Sequence, residues 1–590
     1  MSGDRSRRTG TIFSASALIL CCSAFFFAAS VSAANEQTVA FVMKALTNPF
    51  FSKMELGAKA YANQHNIPLE IFGVDRETDV ERQISIVENL IARGYGAIVI
   101  APTDSKQLVP ACQKALASGI VVINVDNPFH KATLHEHGAA IPFVGSDNHA
   151  GAAQVGDYVM RRLNGRGRVV VIEGIRGVEN ADLRKAGFME AITQDSHIEI
   201  VASASANWHT DEAFSLAVEL LETHAPVDAV FCANDKMALG VLQALDISGL
   251  AGKTVLAGYD NIEAVRSEMQ RGRVHATVEQ HPELMGQVGV ALAVKALAGE
   301  KLPHYLPIPV DLVTHETFGK TIALSISSQH NPFFASLQQA AQNAAQLHGA
   351  KLVAADAQDS NAKQLSDLLT FLNTDIDALI VNPTNTETVV PGIELANTLK
   401  IPVITVDRKA AGGQTICHIE SDNAEGGRMA ARMMARLLNG KGRIIELEGI
   451  PGTSAAMERG AGFHEALKAF PETRVVVREV ADFERQRAKA AILRAMRRGV
   501  TFDGVFAHND NMILGAVDAL ETGQHSGDKV LIGFDGIQAA IAALQQGRID
   551  ATIAQRPERM GELAVVSIAR FWRGEKPAPL IRVDLEVAEK

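Results

Sequence analysis

Thr47-Asn48-Pro49-Phe50-Phe51 returns as His330-Asn331-Pro332-Phe333-Phe334, and this repetition decides the fold. Each copy follows a short apolar run, Val39-Ala40-Phe41-Val42-Met43 before the first and Ile322-Ala323-Leu324-Ser325-Ile326 before the second. Each copy also opens a stretch with helical spacing. A strand, a polar-aromatic turn and a helix are therefore written twice, and internal repetition of this kind governs the whole architecture.

Working outward, strand-like and helix-like stretches alternate. Ser52–His65 carries Met54, Ala58 and Tyr61 on one side, and Val80–Arg93 carries Ile84, Val87, Leu90 and Ile91 on one face. Between them stand Leu69–Phe72, Ala97–Ile100, Val121–Val125 and Val169–Ile172, followed by Ala229–Cys232 and Val255–Ala257. Short, continuous β-branched runs read as strands buried on both faces of a parallel sheet. Their alternation with helices predicts a doubly wound α/β fold.

The programme then restarts. Asn48 recurs as Asn331, Asp126 as Asp407, Arg184 as Arg459, Asn234 as Asn509, Asp260 as Asp535 and Gln280 as Gln555. The offset is 283 residues at Asn48 and 275 at Arg184, so the first copy carries the extra residues, most of them in the polar, His-rich stretch Asn127–Ile141. Such insertions belong in surface loops. Each copy is near the size at which one core divides. Two lobes per copy are expected, split near Phe143–Asn148 and His418–Asn423, with the last strands of each copy crossing back.

Residues 1–34 read as a cleavable export leader: Arg5, Arg7 and Arg8, an apolar run from Ile12 to Ala29, then Val31-Ser32-Ala33. Gly10 weakens a twin-arginine reading, and Cys21 and Cys22 lack a good lipid-attachment context. The domain boundaries are then 1–34 leader, 35–316 first unit and 319–590 second unit. No later run approaches the roughly 20 apolar residues of a membrane span. Cys112, Cys232 and Cys417 form no metal-like or redox spacing and read as small buried hydrophobes. The net charge of −11 argues against a nucleic-acid partner.

In an open α/β sheet ligands bind beyond the carboxyl ends of the strands. The second unit places Asp407-Arg408, Asn509-Asp510, Asp535 and Gln555 at such ends, with Arg459 before a helix. The first places Asp126-Asn127, Asn234-Asp235, Asp260 and Gln280 there, with Arg184. Asp235 and Asp510 read better as helix N-caps than as ligands, and Asp104 as a turn residue. Carboxylates, amides and guanidinium groups grip hydroxyls. Interleaved aromatics, Phe50, Phe51 and Trp208 in one unit and Phe333, Phe334 and Phe483 in the other, suit the C–H faces of a sugar ring. His508 has no evident Ser or Asp partner, and His135, His137 and His149 read as a solvated group. The chain lacks a Gly-x-Gly-x-x-Gly after its first strand, a phosphate-binding Gly-x-x-x-x-Gly-Lys-Ser/Thr and a Gly-x-Ser-x-Gly elbow. Neither a cofactor nor a catalytic set is expected.

These residues resemble the periplasmic sugar-binding proteins of the ribose/galactose type, in both units and over nearly the whole mature length. The likeness is strongest in the second unit, to the ribose-binding members, through Asn331–Phe334, Ile404–Arg408, Gly452–Ala456 with Arg459-Gly460, Ala481–Phe483, Asn509-Asp510, Gly533–Gly536 and Ala551–Gln555. It implies two tandem type I binding units, each with two lobes joined by a hinge. It implies ribose contacts on Ser327, Asn331, Phe333, Phe334, Asp407, Arg408, Arg459, Phe483, Asn509, Asp535 and Gln555. The first unit departs from the pattern: Lys44 stands for Ser327, Asn127 for Arg408 and Trp208 for Phe483. With Asn48, Phe50, Phe51, Asp126, Arg184, Asn234, Asp260 and Gln280 they imply a different monosaccharide or polyol. The implied partners are monosaccharides and the membrane permease of an ABC importer, with no membrane insertion once the leader is removed. The implied location is the periplasm. A sensor presenting sugar to a chemoreceptor or histidine kinase is the alternative.

Overall fold

The computed structural model describes residues 37–194, 197–523 and 529–589. The expected leader, with Arg5, Arg7, Arg8, Cys21 and Cys22, lies outside the described residues.

Asn48 and Asn331 each end a buried strand and start a helix. Their side chains accept from the backbone N–H of Phe50 and Phe333 at 3.1 Å in both cases, and a proline follows at the first helical position. Asn supplies the cap acceptor, and Pro lacks the N–H that a helix start leaves without a partner. The helices run Pro49–His65 and Pro332–Leu347. The strands before them, β1 (Val39–Ala45) and β13 (Thr321–Ile326), are buried except at Thr321, as strands sandwiched between helix layers must be.

The chain divides between His315 and Glu316 into two compact units. In the first, β2 (Leu69–Val74), β3 (Ala97–Ile100), β4 (Val121–Val125), β5 (Phe143–Ser146) and β11 (Tyr305–Ile308) join β1 in the order β2-β1-β3-β4-β5-β11, all parallel. A second sheet contains β6 (Arg166–Glu173), β7 (His197–Ser205), β8 (Ala229–Cys232), β9 (Val255–Ala257), β10 (Ala276–Glu279) and β12 (Asp311–Thr314). Its order is β7-β6-β8-β9-β10-β12, with only β12 antiparallel to its neighbour. The chain passes between the two sheets three times: after β5, after β10 and between β11 and β12. The second passage leads into helix Pro282–Leu297, which packs on helix Pro49–His65 at two glycines. A Cβ on Gly57 would stand 1.9 Å from the Glu283 carbonyl, and one on Gly286 2.1 Å from that of Met54.

The second unit repeats this plan with β13, β14 (Lys351–Asp356), β15 (Ala378–Val381), β16 (Val403–Val406), β17 (Cys417–Ser421), β18 (Gly442–Glu448), β19 (Thr473–Val480), β20 (Gly504–Ala507), β21 (Val530–Asp535), β22 (Ala551–Ala554), β23 (Leu580–Val583) and β24 (Glu586–Glu589). The orders are β14-β13-β15-β16-β17-β23 and β19-β18-β20-β21-β22-β24. Each unit is thus two doubly wound α/β lobes, and the last strands cross back as the sequence predicts.

Two expectations need correction. Asn127–Ile141 is not simply a solvated loop. It contains helix Lys131–Glu136, and Phe129, Ala139 and Ile141 are buried in the core that holds Leu108 and Cys112. Apolar residues at its ends pin the insertion to the lobe. The helix caps also fall one residue earlier than expected, on Asn234 and Asn509, which accept from Met237 and Met512 N–H at 2.9 Å. Asp235 and Asp510 are instead fully buried struts. Asp510 accepts from the N–H groups of Gly536 and Ile537 and from the Thr552 hydroxyl, which fixes the turn carrying Asp535. Asp235 does the same for the turn at Asp260 through Ile262 and Thr277. Asp104 does hold a turn, accepting from Lys106 and Gln107 N–H. Cys112, Cys232 and Cys417 are free and buried.

Candidate functional site

In both units the expected polar residues converge where the two lobes face each other. Several are held in backbone conformations that ordinary side chains rarely adopt. Asp407 has φ 62°, Phe483 63° and Asp535 121°; Asp126, Trp208 and Asp260 match them at 64°, 66° and 117°. Such strain costs of order 1–3 kcal/mol per residue and persists where the surroundings enforce it, typically at functional sites. Its recurrence at the same positions marks these strand ends as built for presentation.

In the second unit these residues line one small pocket between the lobes. Every residue expected for this unit except Ser327 lines it, and Ala455 joins them. Ser327 is fully buried, its N–H donating to Asn382 Oδ1 and its hydroxyl without a protein partner. Arg459 is the centre of the far wall. Its Nε donates to Asn423 at 2.8 Å and its Nη1 to the His508 carbonyl at 2.6 Å. Nη1 lies 3.5 Å from Asp535, and the guanidinium sits 3.8 Å over the Phe534 ring. Gln555 donates to Asp535 at 2.8 Å. Asn509 spends its carbonyl on the helix cap and its amide on the Phe483 carbonyl, 3.2 Å away. On the near wall Arg408 lies 3.7 Å from Asp407 and stands over both Phe334 and Phe483, with ring distances of 5.2 and 5.5 Å. Phe333 and Phe334 meet edge to face.

Burial sets the electrostatics. It lifts Asp535 to about 6 against the pull of Arg459, and it raises Asp407 against the pull of Arg408. It lowers Arg408 in turn. Asp535 accepts from Gln555, Asp407 from Asn382 at 3.3 Å, and Arg408 donates to the Pro383 carbonyl at 3.2 Å, while Ser327 Oγ, Arg408 Nε and Gln555 Oε1 have no hydrogen-bond partner. Buried polar atoms of this kind want hydrogen bonds. The donor and acceptor set between aromatic faces has the chemistry to hold a small polyhydroxylated molecule.

The lobes of the second unit touch at the cleft's lip. Thr386 N–H donates to the Gly452 carbonyl at 3.2 Å and Lys409 N–H to Ser454 Oγ at 3.0 Å. Lys409 Nζ bridges Glu420 of its own lobe, at 3.0 Å, and Glu458 of the other, at 2.7 Å.

The first unit repeats the far wall closely. Arg184 donates to Asn148 at 2.7 Å and to the Ala233 carbonyl at 2.9 Å, lies 3.4 Å from Asp260 and covers Tyr259 at 3.9 Å. Gln280 donates to Asp260 at 2.7 Å, and burial raises Asp260 well above the usual carboxylate range. The near wall is rewired. Lys44 Nζ reaches Asp126 at 3.4 Å and stands 5.7 Å over Phe51. Asn48 donates to buried Glu77 at 2.9 Å. Phe50 and Phe51 form the edge-to-face pair. Asn127 is drawn back: its amide donates to the Pro102 carbonyl at 3.0 Å, and its carbonyl accepts from Ser105 and, across the cleft, from Asn180 N–H at 3.3 Å. Asn234 serves as a cap. Trp208 lies against Gly174, where a Cβ would stand 2.2 Å from the ring; Phe483 lies against Gly449 in the same way, at 2.1 Å.

Sequence reading missed Asn148 and Asn423, which aim the two arginines. Their signal was present, since Ser146-Asp147-Asn148 returns as Ser421-Asp422-Asn423. Glu77 lies where the repeat loses register, so alignment of the halves hides it. His508 does have a partner: Glu446, fully buried, takes His508 at 3.0 Å and His464 at 2.7 Å. The first unit has Val171 and Ala233 at the corresponding places. Among the described residues no group of three or more His, Cys, Asp or Glu is placed to hold a metal ion, and no helix is long and apolar enough to cross a membrane.

The periplasmic binding protein domain family matches this chain twice, at residues 39–301 and 322–576. The D-ribose/D-allose-binding protein of Pseudomonas aeruginosa is 40% identical over 308 residues, which is 51% of this chain and 96% of that protein. The ribose import binding protein of Escherichia coli is 40% identical over 272 residues, covering 46% of this chain and 90% of its own. Among solved structures, a periplasmic solute-binding protein of an ABC transporter from Actinobacillus succinogenes, with bound D-allose, is 32% identical. It covers 47% of this chain and 98% of its own, with a TM-score of 0.46.

Proposed function

The chain belongs to the periplasmic binding protein family, once in each half, and from that premise we propose that it is an exported, non-enzymatic sugar-binding protein of the periplasm. Each unit traps a monosaccharide between its lobes and delivers it to the permease of an ABC importer. The second cleft takes D-ribose or a similar pentose. The names of the relatives support this reading, and one observation carries it: Asp407, Arg459, Asp535 and Gln555 line one pocket with Phe333, Phe334 and Phe483.

Binding proceeds by closure. The lobes rotate about the three crossing segments. The ligand favours the closed state because only there do both walls reach it at once. The Lys409–Glu458 contact forms in the same movement. The permease then reads the closed surface, and no bond is made or broken in the sugar.

The first cleft takes a different monosaccharide or polyol. Lys44 replaces a hydroxyl with a cation, Asn127 withdraws the fork that Arg408 offers, and Trp208 widens the aromatic face. Sites built for particular hydroxyls reject analogues that leave their polar groups unpaired. A thermal-shift screen with calorimetry tests both statements, because a ligand that binds only the folded state raises the melting temperature. D-ribose should raise one transition of the mature chain, and Asp407→Ala should abolish that rise. An undiminished rise would place the site elsewhere. Equal affinity of both clefts for ribose would refute the difference between them.

A further inference from the structure

The two units close with different chemistry at the lip of the cleft. In the second, Glu420 on β17 is buried and is held by His418 at 3.1 Å. Lys409, three residues beyond β16, meets Glu420 at 3.0 Å. Both belong to one lobe, so this contact does not depend on closure, and it aims the ammonium at the opposite lobe. Glu458, on helix Ser454–Leu467 of that lobe, completes the set at 2.7 Å. Burial pushes the Lys409 ammonium down, but hydrogen bonds to Glu458 and Glu420 outweigh it and raise it. Burial pushes Glu420 up, and hydrogen bonds from His418 and Lys409 outweigh that and lower it. None of the three lines the ligand pocket. The first unit has Pro128, Gly145 and Leu183 at these places. Its lip closes on neutral bonds: Ser105 Oγ accepts from Glu179 N–H at 3.1 Å and Asn127 Oδ1 from Asn180 N–H at 3.3 Å. These satisfy the first turn of helix Glu179–Thr193 from across the cleft, where the N-cap residue Val178 supplies no side-chain acceptor.

Resting on the reading of the second unit as a ribose cleft that works by closure, we propose that Lys409, Glu420 and Glu458 form an ionic latch that sets how tightly this unit stays closed, so that ionic strength tunes its affinity without any change in the ligand contacts. A contact present only in the closed state raises apparent affinity by the factor by which it favours that state. Lys409 keeps Glu420 when the lobes part, so the contact with Glu458 carries the difference. D-ribose is uncharged, and the groups that line its pocket are mostly buried, where salt screens little. The side chains of Lys409 and Glu458 are 41% and 30% exposed, so salt reaches the latch.

Titration calorimetry of the full mature chain with D-ribose, in about 20 mM and about 500 mM KCl, reads the latch. The parent's affinity should fall about threefold between the two. Glu458→Gln keeps the shape of the side chain and removes its charge. It should bind ribose about threefold more weakly than the parent at low salt and show no further loss at high salt. Lys409→Met should lose as much, and the double variant no more than either alone, because both remove one interaction. A residue that merely supports the fold would produce neither the salt response nor that non-additivity. A parent affinity that ignores salt, a Glu458→Gln variant that keeps the parent's salt response, or losses that add in the double variant would overturn the latch while leaving the cleft a ribose site. No ribose binding by the parent at either salt concentration would instead remove the ribose reading of the second cleft, and the latch with it.

Discussion

Asp535→Asn separates what the second cleft costs the fold from what it does for binding. Burial lifts the Asp535 carboxyl from 3.8 to about 6, although Arg459 lies 3.5 Å away. The folded value lies above the unfolded one, so the folded chain holds this proton more tightly. The penalty for an ionised Asp535 is therefore fully present above about pH 6 and fades as pH falls toward 3.8. Asp510 titrates together with it, so the penalty of the ionised pair is of the order of a few kcal/mol at neutral pH. Asn keeps the shape, carries no charge and releases most of that penalty. Arg459 retains Asn423, the His508 carbonyl and the Phe534 face. The ligand-free variant should melt about 2–6 °C above the parent in the transition that ribose moves. Binding should move the other way. Two hydroxyl-to-carboxylate bonds at about 1.5–3 kcal/mol each are weakened, so ribose affinity should fall at least about a hundredfold. Scanning calorimetry of the ligand-free chain and titration calorimetry with D-ribose read the two effects. Ribose affinity within about threefold of the parent, or melting several degrees lower, would refute the reasoning.

Ribose binding should depend on pH through the same group. The sugar favours the ionised carboxylate, so affinity should be flat above about pH 7 and drop by up to about tenfold per pH unit below about 6. Titrations at about pH 6 in buffers of different ionisation heat should show proton release, and a flat profile from about pH 5 to 8 would contradict this. Gly449→Ala places a Cβ 2.1 Å from the Phe483 ring, whose backbone is held at φ 63° and whose carbonyl accepts from Asn509. It should cost about tenfold in ribose affinity by tilting the aromatic wall, and an unchanged isotherm would show that Phe483 is not that wall. Burial pushes Glu446 up, but hydrogen bonds from His464 and His508 outweigh it and hold the carboxyl at about 2. Its contribution is present above its ordinary value of 4.5 and lost as pH falls from there toward 2. Glu446→Gln should therefore lower the unfolding free energy of the ribose-responsive transition by about 3 kcal/mol near neutral pH. Equal denaturant midpoints for parent and variant would contradict it.

The duplicated Asn-Pro-Phe-Phe phrase carried both the tandem plan and the helix starts, because cap, proline and aromatic pair act locally and are spelled out in adjacent residues. Arg459, Asp535 and Gln555 were legible through their constant offset from Arg184, Asp260 and Gln280. Tertiary partners were not. Lys44 was visible as a departure from the ribose pattern, but its partner Asp126 comes from another strand, and only the parallel order of β1, β3 and β4 brings their ends together. Glu77 sits where the two copies lose register. The Phe129, Ala139 and Ile141 anchors were hidden among polar neighbours, since three apolar residues so spaced match neither a helix nor a strand period. The roles of Asn509 and Asp510 were exchanged because cap preference alone does not distinguish adjacent Asn and Asp. The burial of Asp510 beneath the Asp535 turn decides the assignment.

Two sugar clefts of different specificity in one chain are the central claim. Titration calorimetry of the intact mature protein with D-ribose, followed by other monosaccharides and polyols added to the ribose-saturated protein, tests that claim. One ribose should bind per chain, at least about a hundredfold more weakly in Asp535→Asn, and a second ligand should then bind the ribose-saturated parent at undiminished stoichiometry. Two equivalent ribose sites, or no heat with any sugar, would contradict the account.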